Sequence, residues 1–348
     1  MSLSKGSSAL VTGATGFVGS NLVAHLLQHG WEVSCLVRDL ARAAPLQQLG
    51  APLYKGTLAD LRSIARQAGH FDVIFHVAGR VRALRDDQFT TDNVEGTRNV
   101  VAAAAAQSQP PVVILVSSLA AGGPSQPGAP SRETDNDRPI SAYGASKLAA
   151  ERAAAQFAEE VPVSIVRPPI IFGPADKASL AIFRGIQLLR VHAIPGFRSF
   201  PVSLVHVADL CDAMMRIAEQ GTRVAAANAG ASKNGAPATY AGTYHVAAER
   251  TIAYGELGQL AAQSLGCAGI ALPLPKALFW LAGGLGEVFG RLRGRPAVLN
   301  LDKVREAVAP AWECSDEKIR RELDYQPAAP LEQRFAETAQ WYREQGWL

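Results

Sequence analysis

Cysteine is scarce: only Cys35, Cys211, Cys267 and Cys314 occur in 348 residues, far apart and with no Cys-x-x-Cys pair. Such a set builds neither a zinc site nor a disulfide framework, so a reducing cytoplasm is the expected compartment. The seven histidines are dispersed, and no metal is expected among them. Net charge is only +3, with lysines and arginines scattered along the chain. A nucleic-acid binder would concentrate them, so nucleic acid is not an expected partner. The first residues, Met-Ser-Leu-Ser-Lys-Gly-Ser-Ser, hold no apolar leader. No transmembrane segment is expected either. The best stretch, 272–289, is interrupted by Pro273, Pro275, Lys276, Glu287 and several glycines. It reads as the amphipathic helix of a substrate cap, with shallow membrane contact as the less favoured alternative.

What is present is an alternation. Short apolar runs at 9–12, 33–37, 73–77, 112–117 and 163–167 read as strands buried on both faces. Helix-like stretches, such as 20–29 and the alanine-rich 96–107, separate them. This order predicts an α/β, doubly wound parallel Rossmann sheet. After about residue 168 helical segments dominate, at 178–189, 210–219, 254–265 and 276–289, with strand-like runs at 203–207 and 243–246. The expected division is a dinucleotide-binding domain over 1–170, with returns near 201–219 and 243–248. A smaller, mostly helical substrate region would cover 171–200 and 249–348. The Ala-, Gly-, Asn- and Ser-rich stretch 225–242 reads as an exposed, mobile loop.

Thr12-Gly-Ala-Thr-Gly-Phe-Val-Gly19 joins the first strand to the first helix. Gly13 allows the tight turn, Gly16 close approach of a pyrophosphate, and Gly19 close helix–sheet packing. The phosphates would rest on free amides at the helix N-terminus. The second strand ends Leu36-Val37-Arg38-Asp39. An acid there would bind a ribose 2′-hydroxyl, but Val37 stands where it is expected and Arg38 offers a cation for a 2′-phosphate. NADP is therefore the preferred cofactor, helped by Arg42, and NAD held by Asp39 is the alternative.

Tyr143 and Lys147, in Ser141-Ala-Tyr-Gly-Ala-Ser-Lys147, lie four apart and would share one helix face. A phenol that ionises near ~10 is a poor neutral-pH acid or base. A neighbouring ammonium would lower that value and make the tyrosine usable. Together with the glycine turn, these residues and Ser117-Ser118 make the chain resemble the extended short-chain dehydrogenase/reductase family. Further similar pieces are His76-Val-Ala-Gly79, Asn93-Val-Glu-Gly-Thr97, Arg167-Pro-Pro-Ile-Ile-Phe-Gly-Pro174 and Val205-His-Val-Ala-Asp209.

The resemblance covers nearly the whole length and implies roles residue by residue. Tyr143 would be the general acid/base, Lys147 the ribose-binding ammonium, and Ser118 the hydroxyl that bonds the reacting oxygen. Asn93 would organise the helix and a proton-relay water, and Ser117 would turn toward the backbone. Thr15, Phe17 and Val18 of the turn, with Leu58, Val77, Ala78 and Gly79, would lie against the cofactor. Arg167, Pro168 and Ile170 would line its nicotinamide. Thr57 stands where relatives often carry an acid for adenine. The resemblance also implies a homodimer.

The expected activity is interconversion of a secondary alcohol and a ketone on an apolar, steroid- or flavonoid-like small molecule. Sugar-modifying relatives often carry an arginine where Val202 stands here, although Arg198 lies just upstream. The stretch 272–282 is similar to the 3β-hydroxysteroid dehydrogenase and dihydroflavonol reductase branch. Phe279 and Trp280 within it, and Phe289 beyond it, read as core, or else as a pocket lining. A nucleotide-sugar epimerase or dehydratase is the first alternative, and a non-catalytic NADP-binding regulator the second. Trp312, Trp341 and Trp347 are expected to pack the C-terminal segment down. His206 is expected as a satisfied histidine beside Asp209.

Overall fold

Valine, isoleucine and leucine without polar alternation suit strands covered on both sides, and the first half of the chain forms such strands. The computed structural model describes residues 3, 5–225 and 240–348. Residues 226–239, most of the stretch read as a mobile loop, lie outside the described residues. The strands are β1 (Ser8–Thr12), β2 (Glu32–Val37), β3 (Leu53–Lys55), β4 (Val73–His76), β5 (Val112–Val116), β6 (Val163–Arg167), β7 (Ile170–Phe172), β8 (Val191–Pro195), β9 (Pro201–Val202), β10 (Leu204–His206), β11 (Thr243–His245), β12 (Ile252–Ala253) and β13 (Ile270–Leu274). Seven of them make one parallel sheet in the order β11-β6-β5-β4-β1-β2-β3. The order reverses between β1 and β4, and in such sheets ligands bind beyond the strand ends at that point.

Alternate residues of β1 feed two cores. Ala9 and Val11 pack with the helices Phe17–Gln28 and Val207–Gln220. Leu10 faces the other way, toward Val100, Val101 and Ala104 of the helix Gly96–Ala105. Ile319, Leu323 and Tyr325, inside the stretch 249–348 assigned above to the substrate region, pack into the first core. A third core joins Phe172, Phe183, Phe335 and Tyr342, so the helices Lys177–Leu189, Tyr254–Leu265 and Leu331–Glu344 form a separate mass beside the sheet. Trp341 and Trp347 meet there at 5.1 Å between ring centroids, and Trp312 Nε1 donates to the Glu306 carbonyl at 2.8 Å.

The helix over 276–289 runs on to Arg293, and its aromatic side chains are not core. Trp280 and Phe289 are exposed and Phe279 is half-buried. The burial belongs to Gly283 and Gly290 instead.

Candidate active site

The glycine turn takes the geometry its spacing predicts. Gly13 adopts φ +71°, and a Cβ there would lie 2.6 Å from the Ala78 nitrogen. A Cβ on Gly19 would run into the Gly13 carbonyl. Gly16 is the N-cap of the helix Phe17–Gln28 and offers no side-chain cap, so the first-turn amides remain for an anion. Thr15 and Gly16 are exposed at the tip, with Phe17 and Val18 half-buried behind them. Val77, Ala78 and Gly79 follow β4 on the other side of the switch point. These residues fit a dinucleotide pyrophosphate.

At the end of β2, Arg38 and Arg42 are exposed. Asp39 turns into its own loop, where Oδ1 accepts from the amides of Ala41 at 2.9 Å and Arg42 at 3.3 Å. Thr57 is less available than expected. Asp60 Oδ2 takes both its amide, at 2.8 Å, and its hydroxyl, at 2.7 Å, in a capping box. Leu58 reaches Gly96, where its Cδ1 would be 2.7 Å from an added Cβ.

Tyr143 and Lys147 sit on the helix Ala142–Ala155, which starts at Ser141 because the Ser141 hydroxyl accepts the Gly144 amide at 2.9 Å. Gly144 lets the helix seat against the Ala120 carbonyl, just after Ser118. The Ser118 hydroxyl lies beside the phenol and draws its pKa down, but burial dominates. Tyr143 is pushed up to about 12, with Glu306 adding to the rise. The net direction is a rise, not the lowering expected from the spacing with Lys147. Lys147 Nζ donates to the Val116 carbonyl at 2.7 Å, and burial lowers its pKa to about 8 against the pull of Glu151. Buried His76 is held down at about 3 by burial and by Lys147, and its ring bonds the hydroxyls of Thr12 and Thr97.

Asn93 is a brace. Its amide hydrogens go to the Arg80 carbonyl at 3.0 Å and Ser146 Oγ at 2.8 Å, while its Oδ1 accepts the Arg80 amide at 2.7 Å. It thereby ties the loop after β4 to the helix Ala142–Ala155, with both amide hydrogens used.

Two expectations fail on charge. Ser117 does not turn to the backbone; its hydroxyl donates to Glu151. Arg167 is 2% exposed, and its guanidinium bonds Glu151 at 2.9 and 2.5 Å and Asp137 at 2.8 Å. A buried guanidinium must be paired, so this one ties strand to helix rather than reaching a cofactor. Pro168 accepts the Leu119 amide at 2.9 Å, and Ile170 is exposed on β7. His206 Nε2 has no hydrogen-bond partner, and Asp209 instead pairs with Arg334. His25 and His29 do stand four apart, with rings 4.2 Å apart, a pairing the sequence reading passed over.

The sequence reading also missed the helix Leu301–Ala307. Asp302 accepts the amides of Ala142 at 2.7 Å and Tyr143 at 3.1 Å. Glu306 accepts the Ser141 hydroxyl at 2.6 Å. Lys303 Nζ lies 4.4 Å from the Tyr143 ring centroid and pairs with Glu306 at 2.7 Å. No local motif announces these residues, since the contacts span about 160 positions.

A parallel sheet with a glycine turn at its switch point, and a Ser–Tyr–Lys set beside it, defines a dinucleotide-dependent enzyme of the Rossmann type. The family model for NAD dependent epimerases/dehydratases matches residues 9–230, and the chain belongs to that family, within the extended short-chain dehydrogenases/reductases. It is 30% identical over 339 residues to a ceramide reductase of Caulobacter vibrioides, covering 97% of this chain and 95% of that protein. It is 31% identical over 219 residues to a ketoreductase of Stigmatella aurantiaca named for a farnesylated 3-oxo-dihydroquinoline oxide, covering 61% of this chain and 64% of that protein. Among solved structures, UDP-glucose 4-epimerase of Thermotoga maritima superposes with a TM-score of 0.75 at 19% identity, over 97% of this chain and 99% of that one.

Proposed function

We propose that this enzyme is an NADPH-dependent reductase of a ketone on an apolar small molecule, with Tyr143 as the general acid. The observation that carries the reading is the Ser118–Tyr143 pair, whose hydroxyls lie within hydrogen-bonding reach, with Lys147 buried one turn further along the same helix. A bound nicotinamide dinucleotide supplies the hydride. Ser118 Oγ donates a hydrogen bond to the ketone oxygen, and Tyr143 Oη gives that oxygen its proton. Lys147 holds the ribose hydroxyls from below, and Asn93 keeps the loop at Gly79 and Arg80 against the catalytic helix. Arg38 binds the 2′-phosphate, a role left open to it because Asp39 is turned into its own loop.

Apolar substrates are favoured because Val202, where sugar-modifying relatives often carry arginine, is fully buried beside β12. The two reductases named above act, by their names, on a ceramide and a farnesylated ketone, which supports the same class. One observation favours the nucleotide-sugar reading: Arg198 and Lys276 both line a cavity of about 480 Å³, two cations of the kind a diphosphate needs, although Lys276 Nζ already donates to the Val308 carbonyl at 2.8 Å.

Product analysis over steroid, flavonoid and long-chain ketones and UDP-sugars, with NADPH oxidation followed for the ketones, separates the two. The products are needed because epimerisation or dehydration of a sugar returns the hydride and consumes no net NADPH. Turnover of UDP-sugars alone overturns the proposal. Tyr143→Phe is expected to lower turnover by about 10²–10⁴-fold with NADPH binding unchanged. In the wild type, alcohol oxidation, which needs the phenolate, should climb with pH across the neutral and mildly alkaline range, while ketone reduction does not. Arg38→Asp should move the NADPH/NADH affinity ratio by about tenfold or more toward NADH. An unchanged ratio removes Arg38 from the 2′-phosphate.

A further inference from the structure

The helix Lys276–Arg293 is built inside out for a helix in water. Stepping 100° per residue, Leu278, Leu281, Leu285, Val288, Phe289 and Leu292 form one stripe, and Phe279, Gly283, Gly286 and Gly290 the opposite one. The glycine side faces the protein. A Cβ on Gly283 would lie 2.6 Å from Val304 Cγ2, and one on Gly286 would meet the Leu299 carbonyl. The large side chains therefore point outward, with Leu281 61% and Leu292 77% exposed. Monomeric soluble proteins rarely present such a continuous apolar face to water.

The charge beside this face is one-sided. Residues 276–295 hold Lys276, Arg291, Arg293 and Arg295 against the single acid Glu287, which matches the +3 of the whole chain within twenty positions. Glu287 is paired with Arg291 at 3.1 Å, so among the described residues the charge that no acid offsets at this end of the helix is carried by Arg293 and Arg295. An apolar stripe ending in arginines, with Trp280 at its flank, complements an anionic lipid surface: acyl chains for the stripe and headgroup phosphates for the guanidinium groups. No helix among the described residues is long and apolar enough to cross a membrane, so this one would lie in the interface plane.

We propose that the helix Lys276–Arg293 docks the enzyme on anionic lipid bilayers. Its inner face rests on Leu299, Asn300 and Val304, the segment whose Asp302 and Glu306 hold the start of the Tyr143 helix. The bilayer would thus lie one helix away from the catalytic tyrosine. The proposal stands on the helix itself and not on the ketone reading.

The test is co-sedimentation of the full chain with vesicles of phosphatidylcholine alone and of phosphatidylcholine with 30 mol% phosphatidylglycerol, an arbitrary but strongly anionic composition (about one lipid in three). Expected is at least a tenfold preference for the anionic vesicles, lost in Leu281→Glu/Leu285→Glu and weakened in Arg291→Gln/Arg293→Gln (order of magnitude from burial of two leucines). NADPH binding should be unchanged in both variants, which establishes that they fold. Wild-type protein that stays in the supernatant with both vesicles, or binds both equally, overturns the proposal. So does a concentration-dependent dimer that the double glutamate variant abolishes while vesicle binding is absent, since the face then belongs to a second copy. A chain that binds vesicles yet reduces no ketone would sink the functional reading and leave this one standing.

Discussion

Gly13, Gly16 and Gly19 near one end of the chain, and Gly283, Gly286 and Gly290 near the other, are spaced almost alike. Both sets exist because something approaches too closely for a side chain. At the first, the turn backbone meets Ala78 and its own helix, and the opening left at the helix N-terminus suits a pyrophosphate. At the second, a helix is drawn onto the chain at Leu299 and Asn300, and its bulky residues have nowhere to go but outward. The difference lies in the flanks. The first triplet follows a buried strand and lies at the switch point of a parallel sheet, whereas the second lies inside a helix between Leu, Trp and Phe. Glycine spacing therefore reports close approach, and only its surroundings say what approaches.

The comparison breaks most sharply at Gly19. Gly19→Ala places a methyl into the Gly13 carbonyl and should weaken NADPH binding by at least about 100-fold, read by fluorescence titration; retained affinity would mean that the turn is not the pyrophosphate site. A smaller effect is expected at the second set. Gly286→Ala forces the helix off the Leu299 carbonyl and should cost about 1–3 kcal/mol in denaturant unfolding, as overpacked sites do. Its neighbour Gly284 has no atom within 4 Å of an added Cβ, so Gly284→Ala should instead stabilise by up to about 1 kcal/mol through helix propensity. Equal effects at 284 and 286 would remove the close-approach account of the outer face.

Much of the sheet was legible because strands buried on both faces are written as uninterrupted apolar runs. The run at 163–167 matches β6 residue for residue, and those at 9–12 and 33–37 fall one residue short of β1 and β2. Leu53–Lys55 was missed, being three residues on the outermost strand, too short for any period to appear. Ser118, Tyr143 and Lys147 were found through their order along the chain, and the fold brings them together between β5 and the Ala142–Ala155 helix. Helical spacing puts Lys147 below Tyr143, but burial, which no local pattern reports, raises the phenol and lowers the ammonium. Phe279, Trp280 and Phe289 read as core, or else as pocket lining, because periodicity tells that a helix has an apolar face without telling which way the face turns, and Trp280 and Phe289 lie exposed.

By itself the sequence determined the elements whose rules are local: the buried strands, the glycine turn with its left-handed Gly13, and the one-turn spacing of Tyr143 and Lys147. Only the tertiary structure decided what those elements meet. It set Asp302, Lys303 and Glu306 against the helix Ala142–Ala155 from about 160 residues away, spent Arg167 on Glu151 and Asp137, and turned the leucines of 278–292 to the outside. The physical reason is range. Backbone conformation and helical phase are settled within a few residues, whereas burial, pairing and pKa depend on groups that the chain brings close only when it is folded.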